Sequence, residues 1–272
     1  MNPSRARVLL WCVSTGATAR VTAVARELLP AQDRERMAQL RSAADRDAFA
    51  LSHAVLARCL GALTGVAPTA LRFALQTEGK PELVAQGPGD RLAFSLSHTA
   101  GLTLLAVTRG SPVGTDVERV RPVAAARIAQ RYFPADEAAA VAARTERTAP
   151  ELFFRLWVRK EAGVKAWGGR LVQGLGTRAC TAADDRPGAV TTRGPDGRAW
   201  RVRDLACVPA PYLAAVAVPR DEGEGPIEVR ALSVDQLLDR GPAAGHAFRD
   251  DPQADRRGPP AAARCEPGPR RP

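Results

Sequence analysis

Residues 91–109 read RLAFSLSHTAGLTLLAVTR, an alternating strand, a short turn and a strongly apolar strand. The same pattern recurs at 200–220 as WRVRDLACVPAPYLAAVAVPR. Helical sequence precedes each hairpin, at 45–63 and at 151–167. The repeat predicts an α+β fold with a pseudo-twofold arrangement of two similar halves, and a functional site at their interface. Chance similarity of two hairpins is the alternative.

The repeat and the composition together divide the chain into three parts. We predict an N-terminal α+β half over residues 1–110 and a C-terminal α+β half over 111–220. Residues 221–272 contain eight Pro and six Gly with a single aromatic residue, too little apolar surface to offset the entropy of ordering. Within them, residues 234–240 suit one or two helical turns. We expect the rest of this C-terminal tail to be mostly disordered.

The chain is basic, with 39 Lys and Arg against 29 Asp and Glu and a net charge of +10. The tail has ten acidic residues and eight arginines, a net charge of −2, so residues 1–220 carry +12. Such a charge favours an acidic partner: a nucleic acid, a phosphate-rich small molecule or an acidic protein. Aromatic residues make up only 5% and are not interleaved with the basic ones, which argues against nucleic-acid binding.

Apolar runs and cysteines predict the compartment. The longest apolar runs fall short of the roughly 18 residues of a membrane span, so we expect no membrane insertion. The short run at residues 8–13 suits a first strand better than a signal peptide. The five cysteines are scattered without a CxxC pair, which argues against a zinc site. Their odd number, without an export signal, favours free thiols and a cytoplasmic protein.

An acidic strand at residues 113–118 suggests a metal site. In a strand, Gly114, Asp116 and Glu118 project from one face. Two carboxylates so close together repel each other unless a cation lies between them, and oxygen ligands suit Mg²⁺ or Mn²⁺. The alternative is an edge strand whose carboxylates are simply solvated.

A helix predicted at 150–167 carries a second polar cluster. Pro150 suits its first turn. Glu161 and Lys165 are four residues apart and therefore neighbours on one face, with Trp157 one turn before. An exposed ion pair is the simpler interpretation. However, Glu161 lies beside the apolar stripe, which indicates partial burial.

Lysine is rare in this chain, so its positions are informative. The only three lysines are Lys80, Lys160 and Lys165, against 36 arginines. Lys80 lies in a Gly-Lys-Pro turn that presents a cation. Ser97 and His98 end the alternating strand, where ligands often bind. These two neighbours point to opposite faces and no GxSxG motif accompanies them, so a hydrolase dyad is not predicted.

In their order and spacing, these clusters resemble the Sfp-type 4′-phosphopantetheinyl transferases. The matching segments are 79–81, 94–99, 113–119, 131–133 and 156–161 with Lys165. The resemblance implies the pseudo-twofold α+β fold of that family. It also implies transfer of the 4′-phosphopantetheine arm of coenzyme A to a serine of an acyl or peptidyl carrier protein, with release of adenosine 3′,5′-bisphosphate. Coenzyme A is polyanionic and carrier proteins are typically acidic, which agrees with a charge of +12 on the folded part.

The resemblance also implies roles for the acidic and basic residues. Asp116 and Glu161 match the principal Mg²⁺ ligands, with Mn²⁺ as a possible substitute, and Glu118 matches a third ligand that varies within the family. Lys165 would hold the transferred phosphate and help to deprotonate the serine. Glu161 or a metal-bound water is the alternative base. The role of Lys160, which helix geometry turns about 100° away from Glu161, is left open.

Coenzyme A binding follows from the same resemblance. Lys80, Ser97 and His98 would contact phosphates on the 3′,5′-bisphosphoadenosine side. One feature departs from the family: the expected basic residue near the start of the first long helix falls near Ala48. Arg46, or alternatively Arg41, would take its place.

The resemblance implies an enzyme, and we expect a monomer. Two alternatives remain. One is a catalytically silent relative that still binds a carrier protein or coenzyme A, and the other is a basic nucleic-acid-binding protein.

Overall fold

A computed structural model describes residues 7–76, 79–84, 91–178, 187–221 and 225–240. The N-terminal half contains β1 (Val8–Ser14), α1 (Ala19–Glu27), α2 (Ala31–Ala38), α3 (Ala43–Thr64), β2 (Phe73–Leu75), β3 (Pro81–Leu83), β4 (Leu92–Thr99) and β5 (Leu102–Arg109). The C-terminal half contains β6 (Gly114–Arg119), α4 (Ala125–Tyr132), α5 (Ala135–Ala142), α6 (Ala149–Trp167), α7 (Leu171–Leu175), β7 (Ala189–Arg193), β8 (Ala199–Asp204) and β9 (Tyr212–Pro219). The chain then forms β10 (Ile227–Ser233) and α8 (Val234–Arg240).

The two halves share a three-stranded arrangement, β1-β5-β4 and β6-β9-β8, and differ in where the fourth strand is added. Their sheets have the strand orders β10-β1-β5-β4 and β6-β9-β8-β7, and β2 and β3 form a separate two-stranded sheet. In each half, the first strand pairs antiparallel with the second strand of the later hairpin. A long helix, α3 or α6, lies between that first strand and the hairpin in the sequence. The predicted α+β fold of two similar halves is therefore confirmed.

Both long helices begin and end at residues that the sequence makes recognisable. The Ser42 hydroxyl accepts a hydrogen bond from the Asp45 amide at 3.3 Å and so caps the N-terminus of α3. Gly65 ends α3 in the left-handed region, with φ of 75°. Helix α6 has Pro150 in its first turn and ends at Gly168, where φ is 80°. These signals explain why both helices match their predicted positions.

Apolar residues form a core within each half and a third cluster between the two sheets. The N-terminal core includes the fully buried Trp11 and Leu60, and the C-terminal core includes Leu156. The third cluster joins residues of β1 and β5 to residues of β6 and β9, among them Leu104 and Val216. Because this cluster draws on both sheets, the halves form one continuous packed unit.

Residues 227–240, at the start of the predicted tail, are ordered: α8 agrees with the helical turns expected at 234–240, whereas the strand β10 was not predicted. Strand β10 pairs parallel with β1 along its whole length, from Val8 opposite Ile227 to Ser14 opposite Ser233. Val234 and Leu237 of α8 are fully buried in the N-terminal core. Composition failed here because the partner strand lies more than two hundred residues earlier. The remainder of the predicted tail, 241–272, lies outside the described residues.

The junction between the halves is formed largely by β4 and β6. Ser95 Oγ accepts a hydrogen bond from the Thr115 amide at 3.0 Å, and Ser97 Oγ accepts one from the Val117 amide at 3.4 Å. The serine side chains thus satisfy backbone donors of β6 that a neighbouring strand would otherwise pair. On its other side β6 packs on α6 so closely that a methyl group on Gly114 would collide with the α6 backbone.

The expectations about membrane insertion and free thiols can be compared with the described residues. None of the helices in the described ranges has the length and apolar character that crossing a membrane requires. Cys12, Cys59 and Cys207 are free thiols, and the first two are buried. The other two cysteines lie outside the described residues.

Candidate active site

Asp116 lies at the centre of a polar cluster where the two halves meet. The residue is only 3% exposed. Its Oδ1 accepts a hydrogen bond of 2.7 Å from Ser97 Oγ of β4 and one of 2.6 Å from Lys165 Nζ of α6. Lys165 Nζ also donates to Ser97 Oγ at 3.1 Å. Three elements, β4, β6 and α6, therefore bring three of the residues singled out in the sequence into direct contact.

Lys165 lies between two carboxylates. Its Nζ is 2.6 Å from Asp116 Oδ1 and 3.5 Å from Glu161 Oε2, one turn earlier on α6. Burial lowers the pKa of Lys165, but the attraction of Asp116 and Glu161 outweighs burial and raises that pKa above its usual value. Lys165 is therefore a permanent ammonium at neutral pH.

Glu161 differs from an ordinary surface carboxylate, because its side chain is 17% exposed. Burial and the negative charge of Asp116 raise the pKa of Glu161 to about 7, although Lys165 opposes this shift. A carboxyl group that titrates near pH 7 can both accept and release a proton under physiological conditions. The ion pair of Glu161 and Lys165 is therefore partly buried and not exposed as in the simpler interpretation.

Glu118 lies at the open end of β6, near Asp116 and Lys165. Its Oε2 accepts a hydrogen bond of 3.0 Å from Arg121 Nη1. Burial raises the pKa of Glu118, with Asp116 contributing in the same direction, while Arg121 and Lys165 oppose the shift. Glu118 thus belongs to the same electrostatic cluster, but its carboxylate is already engaged by Arg121.

The oxygen donors of the cluster fit a divalent cation. Asp116 Oδ2 is buried and has no hydrogen-bond partner, which leaves a charged oxygen available to a metal ion. Across the described ranges, no three His, Cys, Asp or Glu side chains converge closely enough to enclose a metal. Mg²⁺ does not require such an enclosure, because it usually takes one or two carboxylates together with substrate phosphates and water. The arrangement therefore suits a cation that binds together with an anionic substrate.

Lys80 reaches across the junction to backbone atoms. Its Nζ donates hydrogen bonds to the Val113 carbonyl at 3.0 Å and to the Lys165 carbonyl at 2.6 Å. Burial lowers the pKa of Lys80 to about 8, with Glu82 opposing the shift. The lysine therefore contacts α6 and the start of β6, the two elements that carry the acidic residues.

His98 and Arg46 lie farther from the centre of the cluster. His98 is exposed at the end of β4, where partial burial and the Lys165 ammonium lower its pKa while Asp116 opposes the shift. Arg46 Nη1 donates to the Leu40 carbonyl at 2.8 Å and so orders the chain before α3. The structure thus brings Ser97, Asp116, Glu161 and Lys165 together, with Glu118, His98 and Lys80 around them, and places Arg46 on α3.

Lys160, whose role the sequence left open, forms a buried ion pair with Glu137. Lys160 Nζ is 2.6 Å from Glu137 Oε2, and both side chains are almost fully buried. The same ammonium donates to the Thr177 carbonyl and lies 4.8 Å from the centre of the Phe133 ring. These contacts hold α6 against α4 and α5. Helix geometry indicated that Lys160 faces about 100° away from Glu161. It did not identify Glu137 as the partner of Lys160.

Ser95 is a further residue that the sequence did not single out. It anchors β6 through the Thr115 amide without touching the polar cluster. The signal was available, since Ser95 and Ser97 alternate on the strand face opposite the apolar side chains of β4. Two serines on one strand face can accept hydrogen bonds from the amides of a neighbouring strand.

Comparison with known proteins agrees with this geometry. A family model described as the 4′-phosphopantetheinyl transferase superfamily matches residues 112–217, which include the acidic strand and α6. The 4′-phosphopantetheinyl transferase psf-1 of Bacillus pumilus is 32% identical over 168 residues, covering 62% of this chain and 68% of psf-1. The 4′-phosphopantetheinyl transferase HetI of a Nostoc species is 33% identical over 124 residues, covering 45% of this chain and 52% of HetI.

A third relative, the 4′-phosphopantetheinyl transferase Sfp of Bacillus subtilis, is 30% identical over 98 residues, or 36% of this chain and 42% of Sfp. The matched segments thus range from under half to about two thirds of the relatives' own lengths. The agreement of the family model, of psf-1 over most of its length, and of the fold leads to one conclusion: the chain belongs to the 4′-phosphopantetheinyl transferase superfamily.

Proposed function

We propose that this protein transfers the 4′-phosphopantetheine arm of coenzyme A to a serine hydroxyl of an acyl or peptidyl carrier protein. The observation that carries the proposal is the buried Asp116 carboxylate, held by Ser97 and Lys165 at the junction of the halves with Oδ2 unpartnered. A site that combines a free carboxylate oxygen with a fixed ammonium suits a substrate pyrophosphate and its counter-cation.

The carboxylates would hold the cation. Asp116 Oδ2 is the first candidate ligand and Glu161 the second, and Glu118, whose Oε2 is held by Arg121, is the third. When bound, Mg²⁺ or Mn²⁺ would neutralise negative charge on the pyrophosphate and make the bridging oxygen a better leaving group.

In the transfer, the serine oxygen forms a bond to the phosphorus that carries the pantetheine arm. The bond from that phosphorus to the bridging oxygen breaks, and its electron pair leaves with adenosine 3′,5′-bisphosphate. Lys165 remains an ammonium and is suited to hold the transferred phosphate. Because an ammonium has no lone pair to accept a proton, the Glu161 carboxylate is better suited than Lys165 to take the serine proton.

The remaining contacts of coenzyme A belong to the same proposal. Ser97 and His98, at the end of β4, would meet phosphates that approach Asp116 and Lys165. Arg46 and Lys80, for which the family resemblance implies such a contact, both donate to backbone carbonyls, so a phosphate would first have to displace these hydrogen bonds. The charge of +12 on residues 1–220 favours polyanionic coenzyme A and an acidic carrier protein. Since one chain supplies both sides of the junction, we propose that the protein acts as a monomer. On the cysteine pattern described above, we also propose that it acts in the cytoplasm.

The test is the intact mass of an apo carrier protein after incubation with this protein, coenzyme A and Mg²⁺. We expect the carrier to gain one phosphopantetheine unit, and to gain nothing when its acceptor serine is replaced by alanine. Asp116→Asn should prevent the gain, whereas Asp221→Asn, at an exposed aspartate distant in sequence, should not. A panel of apo carrier proteins that all keep their mass would contradict the proposal. Retained coenzyme A binding in that case would indicate a silent relative.

A further inference from the structure

Lys80 is the only one of the three lysines that lies in the N-terminal half, yet its ammonium donates to two carbonyls of the C-terminal half. Its Nζ lies 3.0 Å from the Val113 carbonyl oxygen and 2.6 Å from the Lys165 carbonyl oxygen. Val113 is fully buried and directly precedes β6. One ammonium therefore links the start of β6 to the last turn of α6.

The acceptor in α6 is a carbonyl that needs a partner. Lys165 lies two residues before the end of α6, and the last four carbonyls of a helix have no acceptor role within the helix. These carbonyls also form the negative end of the helix dipole, which an ammonium stabilises. Beside this contact, a methyl group on Gly168 would lie 2.9 Å from Gln76 Oε1 and 4.0 Å from Lys80 Cδ. Gln76 and Lys80 thus lie directly against the end of α6.

The two elements that Lys80 links carry the acidic residues of the site. Asp116 is on β6, and Glu161 and Lys165 are on α6, so their separation depends on how the strand and the helix sit together. Gly114 allows that contact to be close, because any larger side chain would collide with the Ala162 carbonyl and the Ala166 amide. Lys80 donates to the residue just before Gly114 and to the residue just before Ala166.

We propose that Lys80 is a positioning residue that fixes β6 against α6 and thereby sets the distance between Asp116 and Glu161. This inference rests on the proposed function, and it differs from the phosphate contact that the family resemblance implies for Lys80. An ammonium has three hydrogens, and two of them are already directed at backbone carbonyls. A positioning role therefore needs no substrate, whereas a phosphate contact needs the lysine to turn away.

The experiment compares wild type with Lys80→Met, which keeps an unbranched apolar stem and removes the charge and the donors. Three quantities are measured: the rate constant of carrier modification, the affinity for Mn²⁺ by electron paramagnetic resonance with saturating adenosine 3′,5′-bisphosphate present, and the affinity for adenosine 3′,5′-bisphosphate by calorimetry without metal. Loss of a residue that orients metal ligands typically costs about 10- to 100-fold in metal affinity or activity. We expect losses of that size in the rate and in Mn²⁺ affinity, and unchanged nucleotide affinity.

A phosphate contact gives the opposite result, because nucleotide affinity would then fall while Mn²⁺ affinity stayed the same. That outcome would overturn the inference, as would wild-type values for all three quantities. Arg72→Met is the matched control, since Arg72 precedes the same hairpin and its guanidinium donates to the carbonyl of the adjacent Leu71. It should leave all three quantities unchanged.

Two further measurements separate this inference from folding and from the proposed function. The melting temperature identifies a variant that fails to fold, and in that case Lys80→Arg replaces Lys80→Met. A guanidinium keeps the charge but cannot place one nitrogen at both carbonyls, so Mn²⁺ affinity should still fall. If wild type does not modify any carrier, the proposed function fails. The Mn²⁺ and nucleotide affinities still decide whether Lys80 positions the carboxylates.

Discussion

At the scale of single residues, the oxygens around Lys165 explain why this position is a lysine in an arginine-rich chain. One nitrogen serves Asp116 Oδ1 at 2.6 Å, Ser97 Oγ at 3.1 Å and Glu161 Oε2 at 3.5 Å. A compact ammonium can direct its hydrogens at three oxygens around one point, whereas a planar guanidinium spreads its donors over a wider fork.

Lys165→Arg should therefore impair transfer although it conserves the charge. We expect the rate constant of carrier modification to fall by at least about tenfold, as is typical when a residue that orients metal ligands is altered. The control is Arg144→Lys at an exposed position of the C-terminal half, which should leave the rate unchanged. Equal rates for wild type and Lys165→Arg would show that the rarity of lysine has no mechanistic meaning.

Glu161 gives the metal-free protein a specific pH dependence of stability. Its pKa is raised from 4.5 to about 7, mainly by burial. A carboxyl group with a raised pKa binds its proton more tightly in the folded state. Its contribution to stability is therefore fully present below about pH 4.5 and is lost as the pH rises through 7. At pH 8 the folded protein must hold a buried charge near Asp116.

Glu161→Gln should relieve that cost. In the presence of a chelator at pH 8, we expect the variant to melt higher than wild type, by about 2–12 °C for a relief of roughly 1–3 kcal/mol. Below pH 4.5, where both side chains are neutral, the difference should disappear. Thermal melts of both proteins across this pH range measure it. A constant difference between the two proteins at every pH would contradict the assignment of the shift to Glu161.

At the scale of elements, β10 and α8 show how a segment of unpromising composition becomes part of the core. Strand β10 supplies a parallel edge to the first sheet, and α8 covers the core with Val234 and Leu237. Arg7 and Glu228 form an ion pair beside this ladder. The segment is therefore structural although it follows the second half in the sequence.

Removing this segment should destabilise the protein strongly. Truncation after residue 225 exposes the edge of β1 and the surface under two buried side chains, at a cost of at least about 3 kcal/mol. A milder variant, Leu237→Ala, should cost about 2–5 kcal/mol. Asp239→Ala, at an exposed position of α8, is the control and should cost almost nothing. Chemical denaturation measures all three, and a truncated chain as stable as wild type would contradict the packing of α8.

At the scale of the whole molecule, the junction between the halves both joins the fold and builds the site. Ser95 and Ser97 occupy alternate positions of β4 and accept hydrogen bonds from β6, but only Ser97 also touches Asp116 and Lys165. The pair therefore separates the contribution of the junction to stability from its contribution to the site.

Ser95→Ala leaves the buried Thr115 amide without its acceptor, and such an unsatisfied group costs about 1–3 kcal/mol. We expect this loss of stability with a nearly normal rate of transfer by the folded protein. Ser97→Ala should lose similar stability and also lose rate, because Asp116 is no longer oriented. Denaturation and carrier modification are measured on both variants. If Ser95→Ala lost as much rate as Ser97→Ala, the two serines would not divide stability and catalysis between them.

The features that depend on local periodicity could be predicted before the fold was known. Strand alternation identified the two hairpins and placed Ser97, Asp116 and Glu118 at defined positions on their strands. Helical periodicity made Glu161 and Lys165 neighbours on α6, and Pro150 marked its first turn. These features could be predicted because backbone geometry relates residues only a few positions apart, so the pattern is visible without the fold.

Contacts between residues far apart in the chain could be identified only from the folded structure. It directs Lys80 to the Val113 and Lys165 carbonyls, pairs Lys160 with Glu137, leaves Asp116 Oδ2 without a partner, and seats β10 beside β1. Each of these contacts joins segments that are far apart in the chain or depends on the burial of one atom. Their free energies come from packing and desolvation of the assembled molecule, which no local pattern of residues encodes.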